Sequence, residues 1–394
     1  MCRTFLKTTS TMVTLQRRDL KEPAWSAPNL WKGPERCSAG FCLFYNQNAG
    51  GGMSLITSPR MAHVVADSQD SLLSSGIEPE AFYEVEIPGK GSGLIANRTI
   101  RKGEIIMQRA PALLIQNRPH IDFEPGLRLE MYQAAVDRLP EPTRTNFLRQ
   151  TGDTVYEKVE KNSFRVFVDG NTQHSAHLGI FPEVSKFNHD CRPNVHYRIS
   201  NFTHTTIAVR DIPAGEELTV SYIYGMVPRA ERLEQLREWG FTCTCPQCTL
   251  SDRESGASDN RIQQIKMLED EIESLMSAAA SNQNEDVALR PEMGSKLVEL
   301  YLEERLYAYL TPAYTRAALL YSMFGHEEHA RNYAREAVGA LEREKGPRAG
   351  DLPSMRRLAE NPQSHWSWGV MATSGEAGGA RGKKNQTGGR GVRA

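Results

Sequence analysis

The stretch Asn188-His189-Asp190-Cys191-Arg192-Pro193-Asn194 sets two amides, an imidazole, a carboxylate and a thiol within seven residues. It could be a metal corner, a nucleophile beside its base, or a polar turn. Further along, Cys243, Cys245 and Cys248 in "CTCPQC" have C-x-C-x2-C spacing. That spacing lets three thiolates converge on one tetrahedral ion and leaves a fourth corner open. Reduced buried thiols, or a redox pair at Cys245 and Cys248, are the alternative readings. Cys191 is the one other cysteine outside the N-terminal 75 residues. The run "GKGSG" at 89–93 could let a ligand approach the backbone closely, or could simply turn a hairpin. Tyr222, in "ELTVSYIYG", follows a strand pattern, where a tyrosine is usually core. Its neighbour Ser221 has no G-x-S-x-G elbow, which leaves a serine hydrolase with little support.

The elements that must position these groups fall into distinct stretches. Residues 1–78 are rich in Gly, Ser, Thr and Pro, with "NAGGGMS" in the middle, and read as a disordered leader. The first 18 residues carry four basic side chains and no acid, a weak likeness to a presequence. From Phe82 short runs alternate apolar and polar residues between Gly and Pro, the pattern of short strands and tight turns. Over about 115–161 the period turns helical, with Leu129, Tyr132, Val136 and Leu139 on one stripe. Strand patterns return over 164–168 and 195–222. Beyond Cys248 the period is helical throughout, with Ile262, Ile265, Leu268, Ile272 and Leu275 as a stripe. Helices are predicted over about 296–310, ending before Pro312, over about 314–324, capped by Gly325, and over 327–341. The spacing of Ala317, Ala318, Ala330, Ala334 and Ala337 looks like one tetratricopeptide unit. Residues 346–394 read as a mostly disordered tail.

The chain is 394 residues long with a formal net charge of −1, so nothing global marks a nucleic-acid or membrane binder. No apolar run reaches the 18 residues that a membrane helix needs. The crowding of three of the seven cysteines into six residues points to metal instead of a secreted disulfide framework.

The order of the motifs is more telling than any one of them. A Gly-rich turn, N-H-x-C-x-P-N, G-E-E-L-x-x-x-Y and C-x-C-x2-C, followed by helices, resembles the SET-domain protein-lysine methyltransferases over about residues 80–250. Within these it is most similar to SMYD-type and fungal SET proteins, which carry a tetratricopeptide-like C-terminal region. The dense Cys/His MYND finger of the SMYD pattern is missing here, since no cysteine lies between Ile115 and Lys161. The resemblance implies an α+β chain: a SET-domain β-clip fold of short twisted sheets at 79–225, with a helical insert at about 115–161. A post-SET zinc segment at 226–250 and an all-α region at 259–345 would follow.

It also implies roles. Lys90, Gly91, Ser92 and Gly93 match positions that line the S-adenosyl-L-methionine pocket, and Asn162 matches an Asn facing that cofactor. Asn188 and His189 match the pair that holds the adenosyl part, and Phe241 the aromatic against adenine. Asn194 matches a residue that ties the chain in a pseudoknot-like arrangement. Cys191 with Cys243, Cys245 and Cys248 matches the post-SET structural zinc cluster, so NHDCRPN would be cofactor wall and zinc corner together. Tyr222 is the candidate catalytic residue, aligning the substrate amine with the methyl group. A second Tyr of the family has Trp239 in its place, which leaves Tyr224 or Tyr197 as a substitute. The implied activity is methyl transfer to a protein lysine by a monomer, without nucleic-acid or membrane partners, in cytoplasm or nucleus. An inactive SET-fold scaffold that binds protein partners through its helices is the alternative.

Overall fold

A computed structural model describes residues 30–68, 81–170, 172–280 and 289–372. It divides into two compact units, 1–259 and 260–394. In the first, β1 (Lys32–Ser38), β2 (Phe41–Asn46), β3 (Met53–Thr57) and α1 (Pro59–Asp67) precede β4 (Phe82–Ile87), β5 (Gly91–Ala96), β6 (Ile105–Arg109) and β7 (Leu113–Gln116). Four helices follow: α2 (Asn117–Asp122), α3 (Pro125–Asp137), α4 (Thr143–Leu148) and α5 (Val155–Asn162). Then come β8 (Ser163–Phe167), β9 (Ala176–Ile180), β10 (Asn188–His189), β11 (Val195–Ser200), β12 (Thr203–Ala208), β13 (Glu217–Val220) and α6 (Arg229–Arg237). The strands make three sheets, ordered β1-β2-β3-β7-β9-β8, β10-β13-β5-β4 and β11-β12-β6. Short strands that switch sheets in this way bury one common apolar core, from Phe44 and Leu55 through Leu94 and Ile100 to Phe187 and Leu218.

The leader expectation is corrected over residues 30–68, which supply three strands and α1. The Gly run that suggested disorder is a built turn. Gly50, Gly51 and Gly52 all have positive φ, which glycine adopts without steric cost. A Cβ at Gly52 would meet the Pro140 ring at 2.2 Å. Behind this turn Phe44, Leu55, Met61 and Val65 are buried in the main core. Cys37 and Cys42, across the β1–β2 turn, are joined by a disulfide. Residues 1–29 and 69–80, and with them the presequence likeness, lie outside the described residues.

In the helical insert three of the four predicted stripe residues face the core. Tyr132, Val136 and Leu139 are buried, whereas Leu129 is exposed and Met131 and Ala135 take its place inside. The helix α7 (Asp252–Ala280) carries the Ile262, Ile265 and Ile272 stripe, all buried. In the second unit α8 (Glu292–Glu303) ends seven residues short of the predicted boundary at 310, and Arg305 just beyond it has φ of 56°. Pro312 does not end that helix; it opens α9 (Thr311–Met323), where its missing N–H costs nothing. Gly325 caps α9 with φ of 77°, and α10 (Glu327–Glu344) follows. The tail expectation is corrected up to residue 372. The helix α11 (Leu352–Glu360) buries Leu352, Met355 and Leu358, and Ser367 Oγ donates to Ser322 Oγ of α9 at 2.8 Å. Among the described residues no helix is long and apolar enough to cross a membrane.

Candidate functional site: a polar wall, an aromatic corner and a four-sulfur cluster

Two glycines shape the wall. Gly91 opens β5 with φ of 73°, and a Cβ there would point into open space. Gly93 is different: a Cβ would lie 2.4 Å from Ile87 Cδ1 and 2.8 Å from Asn188 Nδ2. Its lack of a side chain is what lets Asn188 seat against β5, donating from Nδ2 to the Ser92 carbonyl at 3.2 Å. Gly93→Ala is expected to force Asn188 and Ile87 aside at a cost of about 1–3 kcal/mol. A thermal melt checks this, and an unchanged midpoint would show that those neighbours yield freely.

Charge is gathered on the same wall. Glu217, at the start of β13, accepts from Asn188 Nδ2 at 2.9 Å and pairs with Lys90 Nζ at 2.6 Å. Glu84 on β4 accepts from Ser92 Oγ at 2.6 Å and pairs with Lys186 Nζ at 2.6 Å. Lys186 first, then Ser92, holds the Glu84 carboxyl below its ordinary range. Sequence reasoning gave neither glutamate a role. Glu217 was visible only as a letter of the G-E-E-L motif, and the Glu84 partnerships join residues 8 and 102 positions away.

The segment NHDCRPN is tied down at both ends. Its first two residues form β10, parallel to β13, pairing Asn188 with Thr219 and His189 with Val220. At its other end Asn194 donates to the Glu217 carbonyl at 2.8 Å and accepts from the Thr219 amide at 2.9 Å. Both of these Asn194 bonds go to backbone groups of β13, so the amide stitches one chain segment to another.

His189 links the wall to the sulfur cluster. Its Nδ1 accepts from the Tyr222 amide at 3.0 Å, so the neutral ring carries its proton on Nε2. Nε2 lies 3.3 Å from Cys191 Sγ and is placed to donate to that sulfur. Burial pushes this imidazole down to about 4, which leaves it neutral near pH 7. The Tyr222 hydroxyl donates to the Phe187 carbonyl at 2.7 Å. Burial, reinforced by Glu217, raises the Tyr222 phenol well above its ordinary value. Around it the Trp239 ring lies 4.9 Å away and the Phe241 ring 6.3 Å away, edge to face. Phe241 is also 6.1 Å from His189 and is partly exposed.

Four sulfurs close the corner. The Sγ atoms of Cys191, Cys243, Cys245 and Cys248 all lie within 4.8 Å of one another, with Cys191 and Cys248 at 3.5 Å. A tetrahedral site with metal–sulfur bonds near 2.3 Å has sulfur–sulfur edges of about 3.8 Å. The spread fits such a cage, and all four side chains are buried. Four crowded thiolates repel one another, so a dication is the group that this donor set suits.

The structure thus brings together Lys90, Gly91, Ser92, Gly93, Asn188, His189, Tyr222 and Phe241 beside the cysteine cluster. Asn162 is held by the backbone of the insert. It ends α5, and its amide donates to the carbonyls of Thr151 at 3.0 Å and Lys158 at 2.7 Å, closing the helix end inside the insert. The two tyrosines offered as substitutes sit in different surroundings. Tyr197 stacks on His204 at 4.9 Å and meets Phe164 edge to face at 5.3 Å. Tyr224 is exposed, with its hydroxyl on Met226.

Comparison with known proteins places the chain among relatives. Residues 91–223 match the SET domain family. The N-lysine methyltransferase SMYD2-B of Danio rerio is 30% identical over 210 residues, covering 51% of this chain and 48% of that protein. The N-lysine methyltransferase SMYD2 of Homo sapiens is 34% identical over 110 residues, 27% of this chain and 24% of that one. The histone-lysine N-methyltransferase set5 of Schizosaccharomyces pombe is 28% identical over 294 residues, 73% of this chain and 86% of that protein. The chain matches half or less of the length of its SMYD2 relatives. With the β5 turn, β10, β13 and Tyr222 all inside the matched span, residues 91–223 are a SET domain, and the chain that carries them is related to the SMYD2 and set5 proteins.

Proposed function

We propose that the chain transfers a methyl group from S-adenosyl-L-methionine to a lysine side chain of a protein. One observation carries the reading: the His189–Tyr222 link and the β10–β13 pairing gather the polar wall, an oriented phenol and the cysteine cluster at one place. The wall suits the donor in kind. It offers open backbone at Gly91, amide and ammonium groups at Asn188 and Lys90, and the half-open face of Phe241 for a purine. When bound, S-adenosyl-L-methionine supplies an electrophilic methyl group on a sulfonium.

The chain's own residues then have three tasks. The first is to receive a neutral amine, because an ammonium, with a pKa of about 10.4, has no lone pair to offer. The apolar surroundings of Tyr222, with Trp239 and Phe187, disfavour the charged form by desolvation. The second is to orient that amine. The Tyr222 hydroxyl spends its proton on the Phe187 carbonyl, so its oxygen keeps lone pairs able to accept from an amine N–H. Its raised pKa keeps it protonated near pH 7, so it positions the amine and does not act as a base. The third is to exclude water while holding the reactants in line, which removes several kcal/mol of barrier.

Zinc would be held by Cys191, Cys243, Cys245 and Cys248. Four thiolates leave no open position, so the ion would order the corner and take no part in the reaction. A protein substrate with an accessible lysine is the implied partner, and the chain would act as a monomer in cytoplasm or nucleus. S-adenosylhomocysteine should raise the melting temperature saturably, and labelled donor should mark a lysine in a cell lysate. A chain that neither shifts nor labels would be the inactive scaffold.

A further inference from the structure

The cysteine cluster lies under α6. Leu236 of that helix is buried among the four sulfurs, with Leu233 and Trp239 partly buried against them. Arg232 sits one turn before Leu236 and therefore on the same face. It is fully buried, at 0% exposure. Its Nη1 donates to the Val227 carbonyl at 2.7 Å. Its Nε and Nη2 are buried with no hydrogen-bond partner, and among the described residues no carboxylate pairs with it. A guanidinium keeps its charge at any pH a protein survives. Leaving such a charge in the interior without an anion is costly, so a counter-anion is expected nearby. The other buried arginine of this corner, Arg192, directs its Nη1 to the Cys191 and Gly225 carbonyls.

We propose that Arg232 is the fixed counter-charge of the four-thiolate metal centre and slows loss of its ion. Four thiolates around a dication carry a net charge of −2, and a buried guanidinium on the packed face of α6 halves it. The orphaned Nε and Nη2 groups supply donors for an anionic cluster, a use that no other acceptor in the described residues makes of them. Partners of this second kind tune how firmly a centre holds its metal. The inference rests on the reading of the four cysteines as a zinc site.

The test uses the full zinc-loaded chain. Its metal content is measured first, and zinc release to excess chromogenic chelator is then timed for the wild type, Arg232→Lys and Arg232→Met. Arg232→Met is expected to release zinc at least tenfold faster, while Arg232→Lys, which keeps the charge, stays within threefold of wild type. Release from Arg232→Met at the wild-type rate would overturn the proposal, as would Arg232→Lys matching a fast Arg232→Met, which would assign the effect to packing. A wild-type chain without stoichiometric metal would overturn the zinc reading itself. Should Arg232→Met fail to fold, Arg232→Gln, polar but uncharged, takes its place with the same two outcomes.

Discussion

Cys191→Ser is expected to cost the chain its zinc and to weaken S-adenosylhomocysteine binding at least a hundredfold, although Cys191 touches the wall only through its neighbours. The reason is the short path from sulfur to site. Cys191 Sγ is 3.3 Å from His189 Nε2, and the opposite nitrogen of that ring holds the Tyr222 amide. Asn188, next in the chain, carries the contacts to Glu217 and Ser92. A serine cannot replace the thiolate, and the three remaining sulfurs would be left crowded with an incomplete cage. Structural zinc sites contribute their binding energy to folding, about 10–16 kcal/mol in small zinc-finger peptides. In a larger core the part lost should be smaller but still visible as a melting temperature several degrees lower. Metal content by emission spectroscopy and titration calorimetry with S-adenosylhomocysteine check the two halves separately. Cofactor binding that survives complete loss of metal would break the proposed coupling.

Tyr222→Phe is expected to cut methyl transfer at least tenfold, roughly 1.4 kcal/mol of barrier, with donor affinity within twofold of wild type. The substitution removes only the oxygen. The ring contacts with Trp239 and Phe241 persist, and so does the amide bond to His189, because that bond uses the backbone. What disappears is the hydroxyl that the Phe187 carbonyl holds at 2.7 Å. Loss of that hydrogen bond should cost about 1 kcal/mol of stability. Single-turnover transfer rates, set beside calorimetric affinities, separate the two effects. A mutant that turns over at the wild-type rate would strike Tyr222 from the mechanism and shift attention to the wall of its pocket.

Spacing in the amino-acid sequence nominated Cys243, Cys245 and Cys248, the order of the motifs carried the family resemblance that pointed to Cys191, Asn188, His189 and Tyr222, and helical periods placed the bodies of α9 and α10. Those signals are carried by residue type over a few positions, the range at which sequence patterns report directly. Element ends were less legible. Pro312 suits both the close of one helix and the first turn of the next, and only the packed helices show which it serves.

Other features depended on distant partners and so had no local signature. The glycine-rich region at 48–53 looks like solvated chain by composition, yet its glycines turn against Pro140, far along the sequence, and lay Phe44 and Leu55 into the core. Asn162 carries the right side chain at a matching position, but nearby carbonyls in the insert claim its amide. The roles of Glu84 and Glu217 as charge hubs, and the burial of Arg232 with no carboxylate partner among the described residues, likewise exist only once strands and helices from separate segments meet. The sequence by itself determined which side chains bring thiol, amide and imidazole chemistry, because that is a property of residue type. Tertiary structure alone decided which of them share a site, because proximity is set by the burial of apolar surface over the whole domain.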